Sequence, residues 1–187
     1  MVTLFIKNMV CNRCVMVVQN ELEKLGISFV SIKLGEVTLE NDLSIKEKEV
    51  LEQNLTAIGF RLIDSKKKQV IEQIKNLIID LVHYQDTSLK HNLSELLSKE
   101  LQFDYNYLSN LFSEEENTTI EKYFIAQKIE KVKELLAYDE LSLSEIAQRL
   151  NYSSVAYLSN QFKKVTGLTP NHFKNLKEEK RKPLDNL

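Results

Sequence analysis

Hydrophobic positions change period several times before residue 64 and keep a helical period after it. Leu4 and Ile6 alternate, which predicts a short strand. Val15, Val18, Leu22 and Leu25 recur at steps of three and four, the stripe of a helix ended by Gly26. Val30, Ile32 and Leu34 alternate, as do Val37 and Leu39, with Gly35-Glu36 as the hairpin turn between them. Leu51, Leu55 and Ile58 mark a second helix, opened by a capping box from Ser44 to Glu47 and closed by Gly59. Phe60, Leu62 and Ile63 predict a last strand. The order is βαββαβ, the ferredoxin-like pattern of an α+β unit, and it assigns residues 1–65 to a first domain.

From residue 66 onward every apolar stripe is helical, so residues 66–187 read as an all-α domain. Lys66-Lys67-Lys68 reads as a solvated helix start. Val70, Ile74, Leu77, Ile78 and Leu81 continue that helix, and His83, Tyr84 and the polar residues 85–88 end it. No Gly, Ser or Pro linker follows Asp64, so the two domains are expected to be close-coupled.

The stretch Leu141 to Phe173 predicts two short helices and a tight turn. Ser142 and Glu145 form a capping box. Ile146, Ala147 and Leu150 give one apolar face, and Val155, Leu158 and Phe162 another. Asn151-Tyr152-Ser153 is the turn, and Gly167 suits a left-handed helix end before Pro170. This is a helix-turn-helix pattern.

It occurs twice. Tyr107-Leu108-Ser109-Asn110-Leu111-Phe112 matches Tyr157-Leu158-Ser159-Asn160-Gln161-Phe162 at five of six positions. Leu97 to Leu101 stands for Ile146 to Leu150, with a first turn one residue shorter. Asn117 stands for Gly167, and Thr119 and Tyr123 for Thr169 and Phe173. The two units cover about 93–117 and 142–167. Between them lies one helix with Ile125, Ile129, Val132 and Leu136 on its apolar face, opened by a capping box from Thr118 to Glu121.

Composition narrows the class. The 187 residues are 43% hydrophobic, with 4 Gly and 2 Pro, which favours packed helices over disorder. No apolar run reaches membrane-spanning length, and MVTLFIK is too soon interrupted for a signal peptide, so a cytoplasmic address and no membrane partner are expected. The net charge of −2 conceals a contrast. Residues 85–119 hold two bases against seven acids, and residues 140–182 hold eight bases against four acids. Phosphate neutralisation dominates affinity for nucleic acid, so the second copy is expected to anchor any DNA complex. The tail Lys177 to Lys182 reads equally as extra phosphate contacts or as solvated chain. His83, His91 and His172 are scattered at no metal spacing. Apart from Cys11 and Cys14, which leave a thiol–disulfide enzyme as an alternative, no nucleophile, carboxylate pair or phosphate loop supports catalysis.

Cys11 and Cys14 lie together between the first strand and first helix. Their chemistry leaves three readings open: a soft-metal thiolate site, a redox pair, or thiols exposed at a turn. Met9 reads as a packing residue. With Met9-x-Cys11-x-x-Cys14 and Gly59-Phe60, residues 1–65 resemble the heavy-metal-associated domain of copper chaperones and copper-pumping ATPases. That resemblance implies Cu(I) or another soft metal ion on Cys11 and Cys14. Asn8 stands where that family has Gly, and Val10 where it has Thr.

Ile146-Ala147, Phe162-Lys163-Lys164, Thr166-Gly167-Leu168-Thr169-Pro170 and Phe173, with Lys128-Ile129 to Leu135-Leu136, resemble the DNA-binding domain of AraC/XylS-family transcription regulators. The resemblance runs from Val70 to Lys174 and implies that each second helix enters a major groove of double-stranded DNA. By family position Val155, Ala156, Ser159 and Asn160 face the groove in copy two, and Asn106, Ser109 and Asn110 in copy one, with Lys163 and Lys164 on phosphate. Asn can pair with adenine, and Val or Ala can touch a thymine methyl. Copy one departs by carrying Ser113-Glu114-Glu115-Glu116 after its Phe.

The function expected is a sequence-specific, DNA-binding transcription regulator responsive to a soft metal, with RNA polymerase as a further partner. Its rivals are a metal-carrier or protein-docking module whose helix-turn-helix units bind no DNA, and a thiol-redox sensor.

Overall fold

The computed structural model describes residues 2–84 and 92–175. The expectations for His91, the polar run 85–88 and the tail Lys177 to Lys182 lie outside those residues. The chain divides into two compact units, Met1–Asn76 and Leu77–Leu187.

In the first unit the elements run β1 (Val2–Lys7), α1 (Asn12–Lys24), β2 (Phe29–Lys33), β3 (Glu36–Leu39), α2 (Ile45–Ala57) and β4 (Arg61–Leu62). One sheet has the order β2-β3-β1-β4, and each neighbouring pair is antiparallel. Leu4 faces Val37 across β1 and β3, and Ile6 faces Leu62 across β1 and β4. Ile6, Val37 and Leu39 meet Val18 and Leu22 of α1 and Leu51 and Leu55 of α2 in one core. Both helices therefore bury their stripes against the sheet, as the alternation of Leu4–Ile6 and Val37–Leu39 requires.

The expected capping box of α2 is complete: Ser44 Oγ accepts from Glu47 N, and Ser44 N donates to Glu47 Oε2 at 2.8 Å. The last strand is shorter than its apolar pattern, because Phe60 N closes α2 onto Leu55 O and the Phe60 ring enters the core. Gly35 sits in the hairpin at φ +74°, and a Cβ there would come 1.9 Å from the Asn76 side-chain amide. The left-handed backbone favours glycine, and any larger residue would displace that amide.

The division between the units falls inside α3 (Lys66–His83). The second unit continues with α4 (Leu93–Leu101), α5 (Tyr105–Glu116), α6 (Ile120–Tyr138), α7 (Leu143–Arg149), α8 (Val155–Thr166) and α9 (Pro170–Asn175). Ile129, Val132, Leu135 and Leu136 of α6 form one core with Ile146, Leu150, Leu158, Phe162 and Phe173. Leu97, Leu108, Phe112, Ile120 and Tyr123 are buried in the first copy.

The sequence repeat is a structural repeat. The turn of copy one has Gln102 left-handed at φ 58°, that of copy two Asn151 at φ 51°. Asp104 caps α5 through Asn106 N, and Ser154 caps α8 through Tyr157 N. Asn117 and Gly167 end the two helices left-handed. Tyr123 packs on Phe112 with ring centres 5.7 Å apart, and Phe173 on Phe162 at 5.6 Å. Such aromatic pairs close each unit with fixed geometry.

One cap is corrected. The N-cap of α6 is Thr119, not Thr118: its Oγ1 accepts from Lys122 N at 3.2 Å. Once Asn117 has turned left-handed, Thr118 is only the link into the next helix. Thr169 does the same work before α9, accepting from His172 N at 3.3 Å. Glu121 does not close a capping box with Thr118; it takes a hydrogen bond from the Tyr105 hydroxyl.

Candidate nucleic-acid interface and thiol pair

Helix α8 forms because Ser154 caps it and its apolar residues fall on one side. Leu158 and Phe162 are fully buried, which fixes the rotation of the helix. The opposite side then presents Ala156, Asn160, Lys163 and Lys164, all exposed. These positions recur at helical spacing and make one stripe. Ser159 is half-buried beside it, and Val155 packs partly against the core. In α5 the buried Leu108, Leu111 and Phe112 leave Asn106 and Asn110 exposed and Ser109 half-buried. The expected groove residues other than Val155 and the two Ser are thus outward in both copies. Towards the end of α5, Ser113 and Glu114 stand at the positions of Lys163 and Lys164, and the exposed Glu115 follows them.

Two outward residues escape the sequence reading. Tyr107 is 45% exposed and Tyr157 is 54% exposed, at equivalent positions of the repeat. Each precedes a core Leu, so a buried or half-buried ring is the simpler expectation. The repeat itself is the available signal, since a tyrosine held at the same place in both copies needs a reason in both.

The turn of copy two is anchored from below. The Tyr152 ring is buried, its hydroxyl donates to Gln161 Oε1 at 2.8 Å, and Lys128 Nζ of α6 lies 3.8 Å from the ring centre. A cation over an aromatic face is attracted by the ring quadrupole. Burial pulls the Lys128 ammonium down to about 8. The ring face works in the opposite direction, by favouring the charged form. In copy one the corresponding ring, Phe103, is 42% exposed.

His83 takes a packing role. Its side chain is 4% exposed and its Nε2 lies 3.0 Å from Gln127 Oε1 of α6, while Gln127 Nε2 donates to the Tyr123 hydroxyl at 3.1 Å.

At the other end of the chain, Cys11 is the N-cap residue of α1. Both cysteines are free and half-buried, with Cys11 Sγ 3.3 Å from Cys14 Sγ. Burial works to raise the Cys11 thiol. Hydrogen bonds from the Cys14 side chain and from the backbone of Cys14 and Arg13, with the Arg13 charge, outweigh it and lower the thiol below its usual range. Burial pushes the Cys14 thiol up, and the neighbouring Cys11 adds to this. Asn8 shapes the loop with a left-handed backbone at φ 74°, and its Nδ2 donates to Gly59 O at 2.9 Å. After Gly, Asn is the residue best able to adopt a left-handed turn. Met9 is fully buried in the core of the unit, as its packing role requires.

A family model described as a helix-turn-helix domain matches residues 97–175. Residues 97–175 are thus a helix-turn-helix domain, similar to those of AraC-family regulators. Among relatives, the Xylose operon regulatory protein of Escherichia coli (strain K12) is 36% identical over 72 residues, which are 38% of this chain and 18% of that protein. The Probable transcriptional regulator LumQ of Photobacterium leiognathi is 26% identical over 147 residues, 79% of this chain and 57% of that protein. The chain thus spans less than two thirds of the length of these curated relatives. Among solved structures, the C-terminal domain of AraT, a response regulator from Geobacillus stearothermophilus, is 26% identical with a TM-score of 0.51. That likeness covers 63% of this chain and 95% of the AraT domain. The helix-turn-helix domain of this chain therefore includes both copies, α6 between them, and the closing helix α9. No helix among the described residues is long and apolar enough to cross a membrane.

Proposed function

We propose that the chain is a sequence-specific, DNA-binding transcription regulator, with RNA polymerase as its further partner. One observation carries this reading: two helix-turn-helix copies in one unit, each presenting a polar face of its second helix outward. In copy two, Ala156, Ser159 and Asn160 would meet base edges while Lys163 and Lys164 neutralise phosphate. Val155 would contribute from the rim of the core. In copy one, Asn106, Ser109 and Asn110 would read, and Glu114 and Glu115 would hold the phosphates at a distance. Fluorescence anisotropy on DNA selected from a random pool, over a salt series, tests this. Binding that weakens steeply with salt and favours one selected sequence is expected; no binding at low salt sinks the reading.

We further propose that the first unit is a ferredoxin-like domain that holds a soft metal ion at Cys11 and Cys14. The β-α-β-β-α-β order and the sheet order β2-β3-β1-β4 support the fold reading. The donor set fits a soft ion of low coordination number: two converging thiols stand at a helix N-terminus. Among the described residues no group of three or more His, Cys, Asp and Glu is placed to hold a metal ion. A bound ion would supply charge to the loop 8–14, and that charge is the signal of the regulator reading. Competition for Cu(I) against a chromogenic chelator, with the Cys11→Ser, Cys14→Ser double variant as control, decides it. Equal competition by both proteins ends the metal reading and leaves the thiol pair as a redox sensor, which the 3.3 Å separation of free thiols favours next.

A further inference from the structure

We infer that Tyr157 and Tyr107 are specificity-determining residues, each laying its ring on a thymine methyl in the major groove while its hydroxyl donates to a neighbouring phosphate. The inference rests on the DNA-binding reading and adds two side chains to the groove residues named for it.

Three features point the same way. Both tyrosines occupy the third position of the second helix of their copy, the end of that helix which reaches base edges in helix-turn-helix complexes. Both are about half exposed, although each is followed by a leucine with no exposed surface at all. Both are backed by an aromatic ring from the preceding turn: Tyr152 lies 6.0 Å from Tyr157, and Phe103 lies 5.3 Å from Tyr107. The backing ring is itself anchored in copy two, by Gln161 and by Lys128. The copies differ in charge farther along the helix, where Lys163 and Lys164 of copy two stand against Ser113 and Glu114 of copy one. The tyrosine and its aromatic support are nevertheless present in both.

A tyrosine offers a large, rigid, amphipathic contact with two rotatable bonds, and packing against a second ring lowers what remains to be ordered on binding. Apolar contact with the C5-methyl group is how thymine is told from the other bases without a hydrogen bond. Tyrosine hydroxyls are also among the donors that reach phosphate oxygens.

The experiment uses the full chain and a DNA site selected from a random pool. Each thymine of the site is replaced in turn by deoxyuridine, which lacks only the methyl group. For the wild type, affinity falls about fourfold at two positions, the worth of one buried methyl group each. Tyr157→Ala binds the parent site about tenfold more weakly and is insensitive at one of those positions; Tyr107→Ala is insensitive at the other. Tyr157→Phe keeps the sensitivity and lacks only the phosphate hydrogen bond. Thermal melts establish that the variants are folded. Alanine variants with wild-type affinity and an unchanged deoxyuridine profile overturn the inference, as does a wild type indifferent to every deoxyuridine. A wild type that binds no DNA at low salt removes the regulator reading and this inference together, and so tells the two failures apart.

Discussion

The two helix-turn-helix copies share a frame and differ at their surfaces. Phe112 and Phe162 are both fully buried, each held by an aromatic ring from the helix that follows. Each copy has a capped second helix and a left-handed exit. The differences lie where chemistry would meet a partner. Copy two carries Lys163 and Lys164 in the last turns of its second helix, and copy one carries Glu114, Glu115 and Glu116. Copy two anchors its turn with the buried Tyr152, while copy one leaves Phe103 exposed. A duplicated fold therefore keeps the residues that close the core and varies the charge at the exposed end of its second helix.

The largest effect expected tests the shared frame. Phe162→Ala and Phe112→Ala should each cost about 3–5 kcal/mol of stability, the range for a large buried aromatic. Chemical denaturation measures both. A cost confined to one copy would show that the frames are not equivalent.

Charge is next. Lys163→Glu with Lys164→Glu should weaken DNA binding at least tenfold, and should flatten the dependence of log affinity on log salt by about 1 for each phosphate no longer neutralised. Ser113→Lys with Glu114→Lys, the equivalent positions of copy one, should do the reverse. If the two changes leave anisotropy titrations unaltered, neither helix end lies near phosphate, and the contrast between the copies has another origin.

Helix ends come third. Gly167 has φ +78° with open space around a Cβ, so Gly167→Ala costs backbone strain alone, about 1 kcal/mol. Asn117→Gly relaxes the same conformation in copy one and should stabilise by a smaller amount. Paired melts of the two variants read the difference.

The last effect depends on pH and concerns Lys128. Its folded-state value, about 8, lies below that of an ordinary lysine because burial disfavours the charge. The folded protein therefore gives up this proton more readily than the unfolded chain does. The cost of burying the charge is fully present below pH 8 and is relieved as pH rises from there towards the ordinary lysine value. Lys128→Met should remove this rise in stability between pH 8 and 10.5, which thermal melts across that interval would detect. An identical pH profile for both proteins would mean that the Tyr152 ring fully offsets the burial.

Much of this is legible in the residues. The periods of the apolar positions predict the element order of both units up to α8, whereas α9 stands where the pattern at Gly167 and Pro170 predicts only a closing turn. The capping boxes at Ser44 and Ser142 mark two helix starts, each formed by both of its hydrogen bonds. Such signals are local: they depend on neighbours within one helical turn. The start of α6 is misplaced by one residue in the sequence pattern. Thr118 and Thr119 are both able to cap, and only the left-handed exit at Asn117 chooses between them. The outward tyrosines are hidden for a related reason. Exposure depends on how a helix is rotated against its core, and Leu158 and Phe162 fix that rotation only once α6 and α9 are in place.

The duplication, the charge contrast between the copies and the pairing of Cys11 with Cys14 near a helix start can be read before folding, because identity, charge and spacing are properties of the chain. Which residues look outward, the place of Lys128 over the Tyr152 ring and the approach of the two thiols to 3.3 Å follow from packing. Those facts join residues distant in sequence or set by loop conformation, and only the packing of the folded units fixes them.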